Sequence, residues 1–224
     1  MKENNEEKNL EVSGFIAKTE QFIERNKKTV IIAGCAIVVV ALAIWAYVGL
    51  YAQPREVRAS EDMFAAEQYF NEGEFEKALS GTDDFMGFAE VIDQYGCTKA
   101  GNLAKYYAGI CQLNLGKYDE AIDNLKSYKG KDLFTGALAK MLIGDAYAEK
   151  GEAAQAVSYY EKAAAACKDN YAVAPVALWK AGMMHLQLDD KQAANKAFQQ
   201  IKDNYPESPE WAEADKYIAL AESK

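Results

Sequence analysis

The sequence predicts an all-α protein: a solenoid of about four helical hairpins with a capping helix, behind one N-terminal transmembrane helix. Three observations predict it. Residues 29–52 carry no charged side chain. Three stretches of the C-terminal half align in register, each with a small residue, an alanine and a bulky residue at matching places. Ser208-Pro209-Glu210 then spells a helix start ahead of a last amphipathic segment.

Composition sets the limits first. A chain of 224 residues suffices for one ordinary domain and a short appendage. Hydrophobic residues at 50% and charged residues at 26% exclude a disordered chain. The formal net charge of −9 argues against nucleic acid, whose binders neutralise phosphates with Lys and Arg. One histidine and four cysteines leave little material for a His-based metal cluster or a Ser/His/Asp enzyme. No cofactor is expected.

The first dozen residues, rich in Glu, Asn and Lys, read as a disordered tail. Phe15, Ile16, Thr19, Phe22 and Ile23 then recur at helical spacing and form one apolar stripe. An interfacial helix lying beside the anchor is the simpler reading; docking on a partner's cytoplasmic surface is the other.

The run from Val30 to Tyr51 follows. About 22 residues at ~1.5 Å each cover roughly 33 Å, which matches a hydrocarbon core of about 30 Å. Trp45, Tyr47 and Tyr51 cluster at the far end, where amphipathic rings favour the interface. A buried core helix rarely runs this long with no polar face. The stretch also exceeds the apolar part of a signal peptide. Ile32-Ala33-Gly34-Cys35 resembles a lipobox, but the apolar run continues well past Cys35, so that thiol is expected in lipid. Lys18, Arg25, Lys27 and Lys28 precede the span, and Arg55 and Arg58 follow it; this bias favours an N-terminus inside. The expected organisation is a cytoplasmic tail over 1–28, a membrane helix over 29–52 and an extracytoplasmic domain over 55–224. Residues 1–28 hold six basic and six acidic side chains of the 25 and 34 in the chain. The domain therefore holds 19 and 28, and with them the whole net charge of −9.

The repeats come next. Gly109, Gly144 and Gly182 are the small residues of a first helix, A. Ala121, Ala156 and Ala194 follow in a second helix, B, spaced by 35 and 38 residues. Leu125, Tyr160 and Phe198 come four residues after each alanine. Small residues let the two helices cross closely, and the bulky residue is expected to fill the groove between repeats. An upstream unit shows Gly73, Phe75 and Ala78; its spacing of 43 to Ala121 implies an insertion, placed at Ser80–Gly87. The glycines before KYDEA and before EFEKA, Gly116 and Gly73, are suited to a left-handed cap that ends helix A. Behind Ser208 the cap helix shows Ala212, Ala214, Ile218 and Ala221 as its apolar face.

Chemical motifs are sparse. His185 falls at an inward position of helix A and reads as a satisfied core histidine. Gly116-Lys117 does not complete a phosphate loop, because Cys111 occupies the first glycine position and Tyr118 replaces Ser or Thr. Asp83-Asp84 and Asp189-Asp190 lack the alternating carboxylates of a calcium loop and read as solvated turns. Cys97, Cys111 and Cys167 are expected as free, mostly buried thiols, with a Cys97–Cys167 bridge as the alternative.

The Gly, Ala and bulky positions, four times in register, resemble the tetratricopeptide repeat (TPR). The family's aromatic near the end of helix A stands as Tyr69 and Tyr147 but is Gln112 and His185 in the other units, and its terminal proline is present once, as Pro206. The resemblance implies a non-enzymatic scaffold whose helix-A face forms a groove for peptide segments. By that resemblance the groove residues are Tyr106, Ile110, Asn114, Met141, Asp145, Glu149, Trp179 and Met183. Tyr106 and Ile110 stand where a cochaperone-type carboxylate clamp needs polar donors, so that activity is not implied. With the segment FIAKTEQFIERNKK and the aromatic-ended span, the layout is similar to the YfgM-like ancillary subunits of the SecYEG translocon. The ending DNYPESPEWAEA also resembles the repeats of Tol-Pal accessory and outer-membrane assembly proteins. The implied partners are a translocon, periplasmic chaperones or exported chains at a bacterial inner membrane. An N-anchored import receptor facing a cytosol is the alternative.

Overall fold

The computed structural model describes residues 24–130 and 133–223. The amphipathic stripe expected at Phe15–Ile23 lies outside the described residues. Two compact units, Met1–Pro54 and Arg55–Lys224, divide the chain.

In the first unit, α1 (Lys27–Tyr47) is a helix with no buried residue. Its aliphatic side chains stand in the open: Ile37 is 70% and Trp45 74% exposed. A water-soluble helix would hide such a surface. By length and composition it is able to cross a membrane. Val48–Ala52 is wound as a π-turn, where the rings of Tyr47 and Tyr51 lie 5.5 Å apart.

The second unit is a series of antiparallel helical pairs. Its first helix A is α2 (Gln53–Asn71). The helix B that should follow is split. It starts as α3 (Phe75–Ser80), turns out through β1 (Gly81–Thr82) and β2 (Phe85–Met86), and resumes as α4 (Phe88–Tyr95). The insertion predicted at Ser80–Gly87 is thus a two-stranded antiparallel hairpin, with Gly81 opposite Met86 and Thr82 opposite Phe85. A Cβ on Gly81 would stand 2.4 Å from the Gly87 nitrogen, so this crossing requires glycine. Three undivided pairs follow: α5 (Lys99–Asn114) with α6 (Tyr118–Ser127), α7 (Leu133–Glu149) with α8 (Ala153–Ala166), and α9 (Ala174–Gln187) with α10 (Lys191–Asn204). The cap is α11 (Pro209–Glu222). About four hairpins and a capping helix are what the sequence predicts.

Each helix A closes with one repeated arrangement. The amides of Gly73 and Glu74 donate to the carbonyls of Phe70 and Tyr69 at 3.0 and 2.9 Å. Gly116 with Lys117, and Gly151 with Glu152, repeat both bonds. This double closure needs a left-handed residue. Gly73, Gly116 and Gly151 supply it with φ of 79°, 73° and 77°. In the last pair Asp189 takes that place at φ 57°, and the amides of Asp189 and Asp190 bond to Leu186 and His185. The Asp189-Asp190 turn is therefore a helix junction. Asp190 also accepts from the Ala193 amide at 3.0 Å and so caps α10.

The crossing of A and B explains the glycines. A Cβ placed on Gly109, Gly144 or Gly182 would meet Leu125, Tyr160 or Phe198 at 2.5, 2.6 and 2.6 Å. The bulky residue thus sits first in the hollow over its own hairpin's glycine, where a groove between repeats was expected. It reaches the neighbour second: Leu125 also packs with Ala139 and Ile143 of the next pair. The repeat alanines Ala121, Ala156 and Ala194 are wholly buried.

The cap follows its sequence signal. Ser208 Oγ accepts from the Trp211 amide at 3.2 Å, and Pro209 opens the helix. Ala214 and Ala221 are buried and Ile218 half-buried, but Ala212 is exposed. Two residues are about 200° apart on a helix, so Ala212 and Ala214 cannot share the buried face. Of the thiols, Cys111 and Cys167 are buried and free, whereas Cys97 is exposed. Burial pushes the Cys111 thiol up to about 12.

Candidate functional site

A cleft of about 620 Å³ crosses three successive helix pairs. Helix α5 contributes Leu113 and Asn114, α7 contributes Asp145 and Glu149, and α9 contributes Trp179 and Met183. Residues four apart on a helix face the same way, which brings Asp145 beside Glu149 and Trp179 beside Met183. Tyr118 and Tyr160 of α6 and α8 line it too, with Ala148, Lys180 and Met184.

Asp145 organises its polar part. Its Oδ1 accepts from the Tyr160 hydroxyl at 2.7 Å and from Lys180 Nζ at 2.6 Å. The Lys180 ammonium also stands 5.7 Å above the Tyr160 ring. Burial, and then the Asp145 carboxylate, push the Tyr160 hydroxyl above the ordinary phenol range. The side chains of Lys180 and Asp145 are 35% and 22% exposed, so the pair is partly shielded from water. Glu149 is exposed and has no ion pair among the described residues. Asn114 donates its amide to the Ile110 carbonyl at 2.8 Å.

Of the eight expected groove residues, the structure brings Asn114, Asp145, Glu149, Trp179 and Met183 together. The other three are placed elsewhere. Tyr106 packs on Tyr128 at 5.3 Å between ring centres. Met141 wedges between the clusters around Ala177 and Ala156. Ile110 is half-buried one turn before Asn114. Trp179 has a double position: it lines the cleft, and its ring meets Phe198 at 5.3 Å and Tyr217 at 4.6 Å. Removing it would disturb the core as well as the cleft.

Lys180 and the hydroxyl of Tyr160 escape the sequence reading. Tyr160 is legible only as the bulky residue of its repeat. Lys180 lies 35 residues past Asp145, but the repeat there has lengthened to 38, so simple alignment pairs Asp145 with Met183. An acid and a base about one repeat apart on successive A helices is the signal that would have found the pair.

His185 departs from the satisfied core histidine. Its Nε2 lies 3.3 Å from Glu161 Oε1, but its buried Nδ1 has no hydrogen-bond partner. Asp190, the nearest acid on that side, is 3.9 Å away, beyond bonding reach. Among the described residues no group of His, Cys, Asp or Glu could hold a metal ion. A second depression of about 610 Å³ lies between α8 and α10, with Leu178 and Ala181 of α9 beneath them.

The family model described as Tetratricopeptide repeat matches residues 103–132 and 176–208. Those two segments are tetratricopeptide repeats. The matched segments cover most of the α5–α6 and α9–α10 pairs. The α7–α8 pair between them has the same glycine crossing and the same helix-A closure. Such repeats are typically non-enzymatic scaffolds for protein-protein contact. No curated protein matches the chain, so the likeness to YfgM-like translocon subunits gains nothing from that side.

Proposed function

We propose that this chain is a membrane-tethered scaffold whose cleft holds segments of partner proteins. Residues 1–28 are the cytoplasmic tail, 29–52 the anchor and 55–224 the extracytoplasmic TPR domain of a bacterial inner-membrane protein. The partners are exported chains, periplasmic chaperones or the translocon itself. The observation that carries this reading is the cleft, which runs across three helix pairs and is lined by Trp179, Met183 and the Asp145 network. Aromatic and Met side chains adapt to varied apolar segments. The unburied apolar α1 supports the tether, and the four-to-two excess of basic residues before the span supports the orientation. Tethering raises the effective concentration of weak cleft contacts near the membrane.

Two measurements test it. Cys97 is exposed on the domain, so a membrane-impermeant thiol reagent added to intact spheroplasts should label it. Labelling only after lysis would reverse the orientation. A photo-crosslinking side chain at Asn114 should capture exported or translocon proteins; capture of cytosolic proteins alone would refute the periplasmic role.

A further inference from the structure

We infer that the cleft of the TPR domain takes a cationic, apolar peptide segment, with a Lys or Arg of the guest at Glu149 and its apolar side chains on Trp179, Met183 and Met184. This inference rests on the cleft being the binding surface and adds the chemistry of what enters it.

The charge left open in the cleft is of one sign. The Lys180 ammonium, the one cation of its lining, is paired with Asp145 Oδ1, which also accepts from the Tyr160 hydroxyl. Asn114 has spent an amide hydrogen on the Ile110 carbonyl. The Glu149 carboxylate has no ion pair among the described residues, and neither Asp145 Oδ2 nor Asn114 Oδ1 has a hydrogen bond there. All three accept. A guest that matches them must donate, through guanidinium or ammonium groups and the amides of an extended backbone. A guest carboxylate would meet two acids and one cation already neutralised. The −9 charge steers the same class of guest toward the domain. The apolar half of the cleft, Leu113 with Trp179, Met183 and Met184, demands that the guest be more than basic.

The test uses the full-length protein in detergent micelles and short fluorescent peptides read by anisotropy. One peptide alternates Lys with Leu; in a second, Glu replaces Lys; in a third, Ser replaces Leu. The Lys-Leu peptide should bind, and both substituted peptides should bind at least about tenfold more weakly, a loss of ~1.4 kcal/mol each. Glu149→Lys should weaken the Lys-Leu peptide by a similar factor, and Glu149→Gln by less. Glu213→Lys, a reversal of equal size on the exposed side of α11, should change little. Equal losses from Glu149→Lys and Glu213→Lys would mean a general charge effect and overturn the site. Equal or tighter binding of the Glu-Leu peptide would overturn the chemistry. The scaffold reading is scored separately. If crosslinks at Asn114 capture segments without basic residues, the guest chemistry fails and the cleft stands. If no peptide binds and no crosslink forms, both fall.

Discussion

Substituting Gly144→Ala in α7 should destabilise the domain, although helix propensity alone favours the change by ~1 kcal/mol. The new methyl would stand 2.6 Å from two ring carbons of Tyr160, against an ordinary contact of at least 3.4 Å. One side must retreat by about 0.8 Å, the difference of those two distances. The ring has nowhere to go. Tyr160 is 3% exposed, and its hydroxyl is held by Asp145 at 2.7 Å. Overfilling a packed crossing costs ~1–3 kcal/mol, and losing part of the hydroxyl bond adds about 1 kcal/mol. Set against the propensity gain, the net loss is ~1–3 kcal/mol. For a unit of this size that lowers Tm by about 2–12 °C. Thermal denaturation of the full-length protein in detergent, followed by circular dichroism at 222 nm, measures it. An unchanged or raised Tm would refute the crossing as the reason for glycine. Replacing Tyr160 by a smaller side chain in the Gly144→Ala background should recover part of the loss, because the two substitutions share one space.

Two further outcomes follow from the packing. Glu56 of α2 accepts the amides of Lys99 and Ala100 at 2.8 and 2.9 Å, and so places a carboxylate on the N-terminus of α5. Glu56→Gln removes the charge and turns one oxygen into a donor facing donors; it should cost ~1–2 kcal/mol in denaturant titrations, and an unshifted midpoint would discount the contact. The domain should also lose stability in alkali. Burial raises the Cys111 thiol and is the largest cause of the raised hydroxyls of Tyr107, Tyr160 and Tyr205. The folded state therefore favours the protonated forms. Their contribution is complete below the ordinary values of 9.0 for Cys and 10.0 for Tyr, and it is lost as pH rises through and above them. Tm should fall between about pH 9 and about pH 11, and Tyr160→Phe should make the fall shallower; a flat profile would count against the buried phenols.

Local rules made most of the fold legible. A run without charges, a Ser-Pro-Glu helix start and glycines at helix ends act through a few neighbouring residues, so they can be read along the chain. The repeat register was legible because Gly109, Gly144 and Gly182 each oppose a bulky residue 16 positions later in their own hairpin. The site was less legible. Tyr106 and Met141 hold correct repeat positions, yet their side chains turn into contacts with Tyr128 and with the Ala156 cluster. His185 kept its inward position and still left one nitrogen without a partner, which only the distance to Asp190 reveals.

The sequence by itself determined an apolar helix long enough to cross a membrane, an acidic repeat domain behind it, and which glycines and alanines sit where helices cross. These depend on composition and on spacing within one hairpin. The tertiary structure alone decided that Lys180 pairs with Asp145, that Trp179 belongs to core and cleft at once, and that Glu149 keeps a charge without an ion pair among the described residues. Lys180 with Asp145 and Trp179 with Tyr217 join residues 35 and 38 apart from different elements of the stack, and the contacts turn on distances of an ångström, which no periodicity encodes.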